Sequence, residues 1–297
     1  MPGAAATAER PPARLVINAD DFGLSDGVNR GILEAFEAGA LRSASVMVGM
    51  PAFAEAARAA RAAGDALGTG LHFTLTNGRP LTRCPSLVDA STGEFVSIRR
   101  LALRALSGRV QRREVEAECD AQIARCRAAG LRITHLDGHQ HAHALPVIRD
   151  AVWHVVQRER IPYWRRPAEP LWGTAAGMRR LPERLAIAFL ASQLPAKPPT
   201  PTPSPPQPRT ADHFAGTALL GAPRATDVLL RLLDTLAAGT TELMVHPGYV
   251  PGPLPGGDTY REGREQELRA LTSAPVLARL HRGDIVLTHF GSLCIGT

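Results

Sequence analysis

The feature that most constrains this chain is its rhythm. From about residue 14 to 290, short apolar runs suited to buried strands alternate with longer amphipathic or alanine-rich stretches suited to helices. Arg14–Ala19, Ser43–Gly49, Ala66–Leu75, Ile133–Asp137, Ile161–Arg166, Thr241–Val245 and Asp284–Phe290 read as strands. Ser25–Ala38, Ala52–Ala63, Arg113–Ala129, Pro146–Val156, Arg179–Leu194, Ala222–Ala238 and Glu262–Ala270 read as helices, the first begun by Ser25-Asp26-Gly27. Such alternation predicts a parallel sheet, because each helix carries the chain back to start the next strand in the same direction. The expected fold is therefore α/β, a single-domain irregular TIM-like (β/α) barrel of about seven βα units. No G-x-G-x-x-G or P-loop follows the first strand, which argues against a nucleotide-binding sheet.

The flanks and the one break in the rhythm are compositional. Residues 1–13 are rich in Ala and Pro and read as a disordered tail; with no apolar block after a basic start, they do not read as a secretory signal. Residues 14–297 read as one domain. The Pro/Thr stretch 195–209 cannot build a core, and because the rhythm resumes after it, it reads as a surface insertion. No run approaches the roughly 18 apolar residues of a transmembrane helix. The net charge of +6 comes from 34 basic against 28 acidic side chains, with 5% aromatic residues and no stacking motif, so a nucleic-acid partner is not expected. Of the four cysteines, Cys119 and Cys126 lie about 10 Å apart along a helix, too far for a disulfide. No Cys-x-x-Cys pair exists, and reduced thiols in a cytoplasmic protein are the expectation.

The chemistry gathers at strand ends. Asn18-Ala19-Asp20-Asp21-Phe22-Gly23 closes the first strand, where α/β folds collect ligands and catalytic groups. Adjacent carboxylates there also suit a turn or a helix cap, so the pair alone decides nothing. Its company matters more. His72 ends the third strand, Asp137-Gly138-His139-Gln140-His141-Ala142-His143 follows the fourth, and His246 precedes Pro247-Gly248, so half of the ten histidines fall behind β-rich runs. In an extended His-x-His-x-His run the alternate imidazoles face one way and can converge. One carboxylate and two imidazoles from three strand ends make a facial N₂O set with open positions, suited to Zn²⁺, Co²⁺, Mn²⁺ or Fe²⁺. The carboxylate keeps Mg²⁺ open as well. A metal so placed would polarise a carbonyl and acidify a water. The second carboxylate would accept that water's proton, and a histidine across the site would protonate a leaving amine. This is apparatus for metal-assisted amide hydrolysis.

The stretches Asn18-Ala-Asp-Asp-Phe-Gly-Leu-Ser, Gly70-Leu-His-Phe-Thr-Leu-Thr, Thr134-His-Leu-Asp-Gly-His-Gln-His-Ala-His and His246-Pro-Gly resemble the YdjC family of ChbG-type carbohydrate deacetylases, which includes chitooligosaccharide deacetylase. The match runs in order from about residue 14 to 290, with Asp212-His213-Phe214 and Tyr260–Leu271 also fitting. The resemblance implies Asp21, His72 and His139 as metal ligands, Asp20 as base and His246 as general acid. Arg166 resembles a family arginine near the site, placed to orient Asp20. His141 and His143 become candidates for fixing ligand tautomers. The implied cofactor is one divalent cation, Mg²⁺ by the resemblance, with Zn²⁺, Co²⁺ and Mn²⁺ open. The implied substrate is a small N-acetylated amino sugar that releases acetate, and a homodimer stays open. Two alternatives stand beside this reading. A metal-dependent phosphoester or lactone hydrolase on the same barrel would call for two metals and more carboxylates. A non-catalytic carbohydrate-binding or metal-sequestering protein would need neither Asp20 nor His246.

Overall fold

The computed structural model describes residues 12–170, 180–194 and 207–294. Nearly all of the expected N-terminal tail and most of the proline-rich insertion lie outside the described residues. The strands are β1 (Ala13–Phe22), β2 (Ser43–Val46), β3 (Gly68–Phe73), β4 (Ile133–Gly138), β5 (Tyr163–Trp164), β6 (His213–Ala215), β7 (Thr240–Val245) and β8 (Ile285–Leu287). Every pairing among them is parallel, in the order β5-β4-β3-β2-β1-β7-β6. The helices are α1 (Asp26–Glu37), α2 (Phe53–Ala63), α3 (Ile98–Leu106), α4 (Arg112–Ala128), α5 (Ile148–Arg158), α6 (Leu181–Ser192), α7 (Ala225–Asp234), α8 (Glu262–Leu271) and α9 (Ala274–Leu280).

The α/β class and the parallel pairing are as expected, but the ring does not close. The sheet curves into a half-barrel whose edges are β5 and β6, joined by no ladder among the described residues; a single bridge links Tyr163 to Arg209. β8 is set apart from the main path. It pairs with Ala13–Leu15 of β1 while β2 pairs with Asn18–Phe22 further along, and β7 takes Arg14–Ala19. Three strands thus share β1, and the sheet splays around it.

Side chains on β1 sort by parity, as the pleat requires. Leu15, Ile17 and Ala19 join the main core with Val28 and Ile32 of α1 and Leu71 of β3, while Val16 packs with Tyr163 and Phe290 on the concave side. Above that plug the concave face turns polar: Asn18, Ser43, Ser45, Asp137 and Arg165 are buried there among one another. Gly70 of β3 leaves the room this needs, since a Cβ on it would lie 2.3 Å from Nε2 of His135. Cys84, Cys119 and Cys126 are buried free thiols, and no helix among the described residues is long and apolar enough to cross a membrane.

Candidate active site

Two neighbouring residues of a regular strand cannot both face inward, yet both carboxylates at the end of β1 do. The backbone supplies the reason. Asp21 has φ of 69°, in the left-handed region that non-glycine residues enter only at local cost, and the β1–β2 register shifts between Ala19 and Phe22. The extra residue rotates Asp21 onto the face already occupied by Asp20. The turn is pinned from below: Leu24 N donates to Asp21 O, Gly23 N donates to the side chain of Asn29 on α1, and Ser25 caps that helix by accepting from Val28 N.

Asp21 meets the two predicted imidazoles. Its Oδ1 lies 3.1 Å from Nε2 of His72 and 3.0 Å from Nδ1 of His139, and those two nitrogens are 3.3 Å apart. Three lone-pair atoms at such spacing repel unless a proton or a cation lies among them. Ligand distances of ~2.0–2.1 Å place neighbouring donors roughly 2.9–3.4 Å apart, so the residues present fit a small divalent ion. The charge fits too. Six buried carboxylates surround the site, Asp20, Asp21, Asp137, Asp258, Glu242 and Glu267, against the two buried guanidinium groups of Arg165 and Arg264. These Asp and His groups can hold a metal ion; the chemistry of the donors leaves its identity open.

The candidate ligands are themselves held. His72 Nδ1 donates to Oδ1 of Asp137 at 2.7 Å, which turns Nε2 toward Asp21. Burial opposes charge on the His72 ring, but the carboxylates of Asp137 and Asp20 outweigh it and push its pKa up to about 10. On Asp21, burial would raise the carboxyl. Arg264, whose Nη2 donates to Oδ2 at 2.6 Å, and His139 reverse this and hold it well below its usual range. Arg264, on α8, also donates to Asp258.

Asp20 stands outside the ligand set in a clamp of its own. Arg165 donates through Nη1 to Oδ2 at 2.6 Å and through Nη2 to Oδ1 at 2.7 Å, and Asn18 adds a third bond to Oδ1 at 2.8 Å. The same guanidinium reaches Asp137 at 2.8 Å and Glu242 at 2.7 Å. One cation serving three carboxylates leaves Glu242, by burial, with its pKa pushed up to about 7 despite that contact.

His246 follows β7, with Nε2 3.9 Å from Asp20 Oδ2. Glu267 of α8 accepts from its backbone N–H at 2.6 Å, and Tyr260, whose ring lies edge-on to the imidazole, donates to the other oxygen of Glu267. The turn carrying His246 lies against α1 through two glycines: a Cβ on Gly31 would come 2.6 Å from Cα of Gly248.

Asp20, Asp21, His72, His139 and His246 therefore share one cavity. Arg166 does not. It donates from Nε to Ala191 O, away from the Asp20 carboxylate: just past β5 the chain stays extended, with Arg165 N donating to Leu136 O, so neighbours face opposite sides and Arg165 takes the inward one. The His139–Ala144 segment is not extended either. It coils as a short 3₁₀ turn with Gln140 and His141 at positive φ, so His139 alone reaches Asp21. His143 donates to Arg165 O and packs on Trp164, and His141 packs against Phe214. Neither of the two hydrogen-bonds a ligand ring; for His72 that task falls to Asp137. Sequence reasoning missed Arg165, Arg264, Glu242 and Glu267. For Glu242 a signal existed: a lone acid within the apolar run Thr240–Val245 has to find a partner.

The family model described as YdjC-like protein matches residues 14–282. A carbohydrate deacetylase of Geobacillus stearothermophilus is 36% identical over 280 residues, covering 94% of this chain and 97% of that protein. A human carbohydrate deacetylase is 33% identical over 296 residues, covering 94% and 90%. Among solved structures, the 1.70 Å crystal structure of an Enterococcus faecalis protein, described as a candidate cellobiose-phosphate cleavage protein, matches with a TM-score of 0.72 at 27% identity, covering 95% of this chain and 99% of that one.

Proposed function

The chain belongs to the YdjC-like protein family, and from that membership and the site we propose that it hydrolyses the acetamido bond of an N-acetylated amino sugar, releasing acetate, with one divalent cation. The observation that carries the proposal is the division of labour at the end of β1. Asp21 converges with His72 and His139, while Asp20, one residue away, is kept out of that set by Arg165. The open half-barrel is then an irregular TIM-like barrel with its site at the carboxyl ends of the strands. Buried free thiols suit a reducing compartment, and we place the reaction in the cytoplasm.

Asp21, His72 and His139 would hold the ion, which when bound supplies Lewis acidity to the amide carbonyl and to a water. Asp20 accepts the proton of the attacking water. Its Oδ1 already accepts from Arg165 and Asn18, so Oδ2, with Arg165 alone, is the oxygen that takes it. Arg165 fixes the plane of that carboxylate, so orientation is settled before substrate arrives. His246, beyond Oδ2 of Asp20 and held through its backbone by Glu267, gives a proton to the sugar nitrogen as the C–N bond breaks. Water adds to the acyl carbon, the amine leaves neutral, and acetate is the second product.

A binuclear hydrolase is disfavoured by Arg165. The other potential donor group, Asp20, His72 and Asp137, shares His72 with the first and has the guanidinium bonded to both carboxylates, where a second ion would meet a like charge. Acetate release from N,N′-diacetylchitobiose and methyl N-acetyl-β-glucosaminide, before and after EDTA with metal added back, tests the proposal. Asp21→Ala should lose bound metal by elemental analysis. Asp20→Asn should keep the metal and lose turnover by about 10²–10⁴. Full activity in Asp20→Asn, or in metal-stripped protein, would sink the mechanism.

A further inference from the structure

The cavity over Asp21, His72 and His139 has two unlike sides. It encloses about 610 Å³. The deep side is the polar cluster described above. Another part of the lining is mainly aliphatic: Ile98 and Ala102 of α3, Leu145, and Ala186, Ile187 and Leu190 of α6, with Arg99 and Arg180 as its charged members. Both helices pack on the turn that carries His139. A plain oligosaccharide pressed against such a wall would lose water from its hydroxyl groups and gain no partner for them, which costs free energy.

The aliphatic surface continues past the cavity. On α3, Leu106 and Leu103 are 71% and 68% exposed; on α6, Phe189 and Leu185 are 68% and 46% exposed. At ~100° per residue, Leu106 lies roughly 40° around the helix from Ala102, and Phe189 roughly 60° from Ala186. Each helix therefore carries a strip of apolar positions from inside the cavity out to solvent, and on α3 the cavity-lining Arg99 lies between Leu106 and Leu103. Among the described residues, every exposed large hydrophobic side chain except Val286 lies on these two helices. Scattered surface leucines need no explanation, but a concentration at the mouth of one cavity does.

We propose that the substrate is an amphiphile, an N-acetylated amino sugar joined to an apolar aglycone, with the sugar over the Asp21–His72–His139 cluster and the hydrocarbon lying along α3 and α6. This rests on the deacetylase reading given above. The strip is continuous with the cavity, so a group attached to the sugar reaches it without leaving the protein surface.

The test compares methyl, butyl and octyl N-acetyl-β-glucosaminides with N,N′-diacetylchitobiose, all below micelle concentrations and with metal-loaded protein. Each methylene taken from water is worth about fourfold. The octyl glycoside should therefore exceed the methyl one at least tenfold in kcat/KM, chiefly through KM. Replacing Leu103, Leu106, Leu185 and Phe189 together by Gln removes the strip with little risk to folding, because these side chains are exposed. The octyl-to-methyl ratio should then fall toward one. A ratio near one in the unaltered protein, with the methyl glycoside or chitobiose turned over, would overturn this proposal and leave the deacetylase reading standing. No turnover of any of the four would overturn both. A ratio kept by the Gln variant, together with a change from dimer to monomer by sedimentation, would assign the strip to a second copy of the chain and reject the aglycone.

Discussion

Arg165 and Arg166 sit side by side and should fail in opposite ways. Arg165→Met removes a buried guanidinium that makes two contacts with Asp20, one with Asp137 and one with Glu242, all between 2.6 and 2.8 Å. Three buried carboxylates are then left without that cation. Breaking a buried ion pair from one side costs about 3–5 kcal/mol, and at about 2–4 °C per kcal/mol for large domains the expected loss is roughly 6–20 °C in Tm. Arg166→Met removes one bond from a half-buried side chain to Ala191 O at 3.1 Å, worth about 0.5–1.5 kcal/mol, or roughly 1–6 °C. The pH dependence separates a lost charge from lost packing. Without Arg165 the folded-state carboxylates hold protons more tightly than the unfolded chain does, so the folded state binds more protons and gains stability as pH falls. The deficit of Arg165→Met should therefore narrow from pH 7.5 to pH 5. Calorimetry at the two pH values, with acetate release at the higher, measures both effects; turnover should drop on the order of 10² in Arg165→Met, whose Asp20 is no longer oriented, and stay near normal in Arg166→Met. Equal Tm losses in the two variants, or loss of turnover confined to Arg166→Met, would refute the assignment.

Further outcomes follow from the same contacts. Asp137→Asn takes away the anion that turns His72 Nε2 toward Asp21, so metal affinity measured against a competing chelator should fall 10–100-fold; an unchanged affinity would mean that the ring needs no such partner. Gly31→Ala drives a methyl into Gly248 and should cost about 1–3 kcal/mol while lowering kcat, because the turn that moves carries His246; normal stability with normal kcat would show that the contact is slack. Burial raises the Glu242 carboxyl from 4.5 to about 7 in the folded state, so the native protein loses stability as pH rises through that interval. Glu242→Gln has no such proton, and its urea midpoint should gain on that of the unaltered protein between pH 5 and pH 8; a gap independent of pH would contradict the assignment.

Much of this was legible because strand ends are a local signal. Asp21, His72 and His139 each follow a β-rich run, so the rule that such ends gather chemistry points to their segments, while the choice of Asp21 over Asp20 and of His139 over His141 and His143 rests on the family resemblance. Parity across a two-residue strand was not legible. Nothing in Tyr163-Trp164-Arg165-Arg166 tells which arginine faces inward, and only the pairing of His135 with Tyr163 and Leu136 with Trp164 decides it. Arg264 was hidden differently. Charged residues crowd α8 on every side, so the two that are buried, Arg264 and Glu267, carry no mark. The left-handed turn at Asp21, which sets two adjacent carboxylates on one face against the alternation of the pleat, has no mark in the sequence, and the coil at Gln140 and His141 defeated the idea that alternate histidines converge. β6 escaped notice because three residues are too few to show a period, and the open ring could not be read from a strand count at all.

The sharing of β1 among three partners bears on how the protein comes into being. Arg14 pairs with both Thr240 and Val286, and Asp21 is gripped by Arg264. The strand that carries Asp20 and Asp21 is therefore synthesised before β7, α8 and β8 and waits for them before either of its edges is complete. Contacts of such sequence separation are slow to form, since the intervening chain must be ordered before they yield any gain. During that wait β1 offers an apolar, unpaired edge, the kind of surface on which chaperones and aggregation act. A ribosome-released fragment lacking β7 and α8 would hold Asp20, Asp21, His72 and His139 in its sequence and still, on the proposed mechanism, be inert, so that catalytic competence would arise only once α8 has been made.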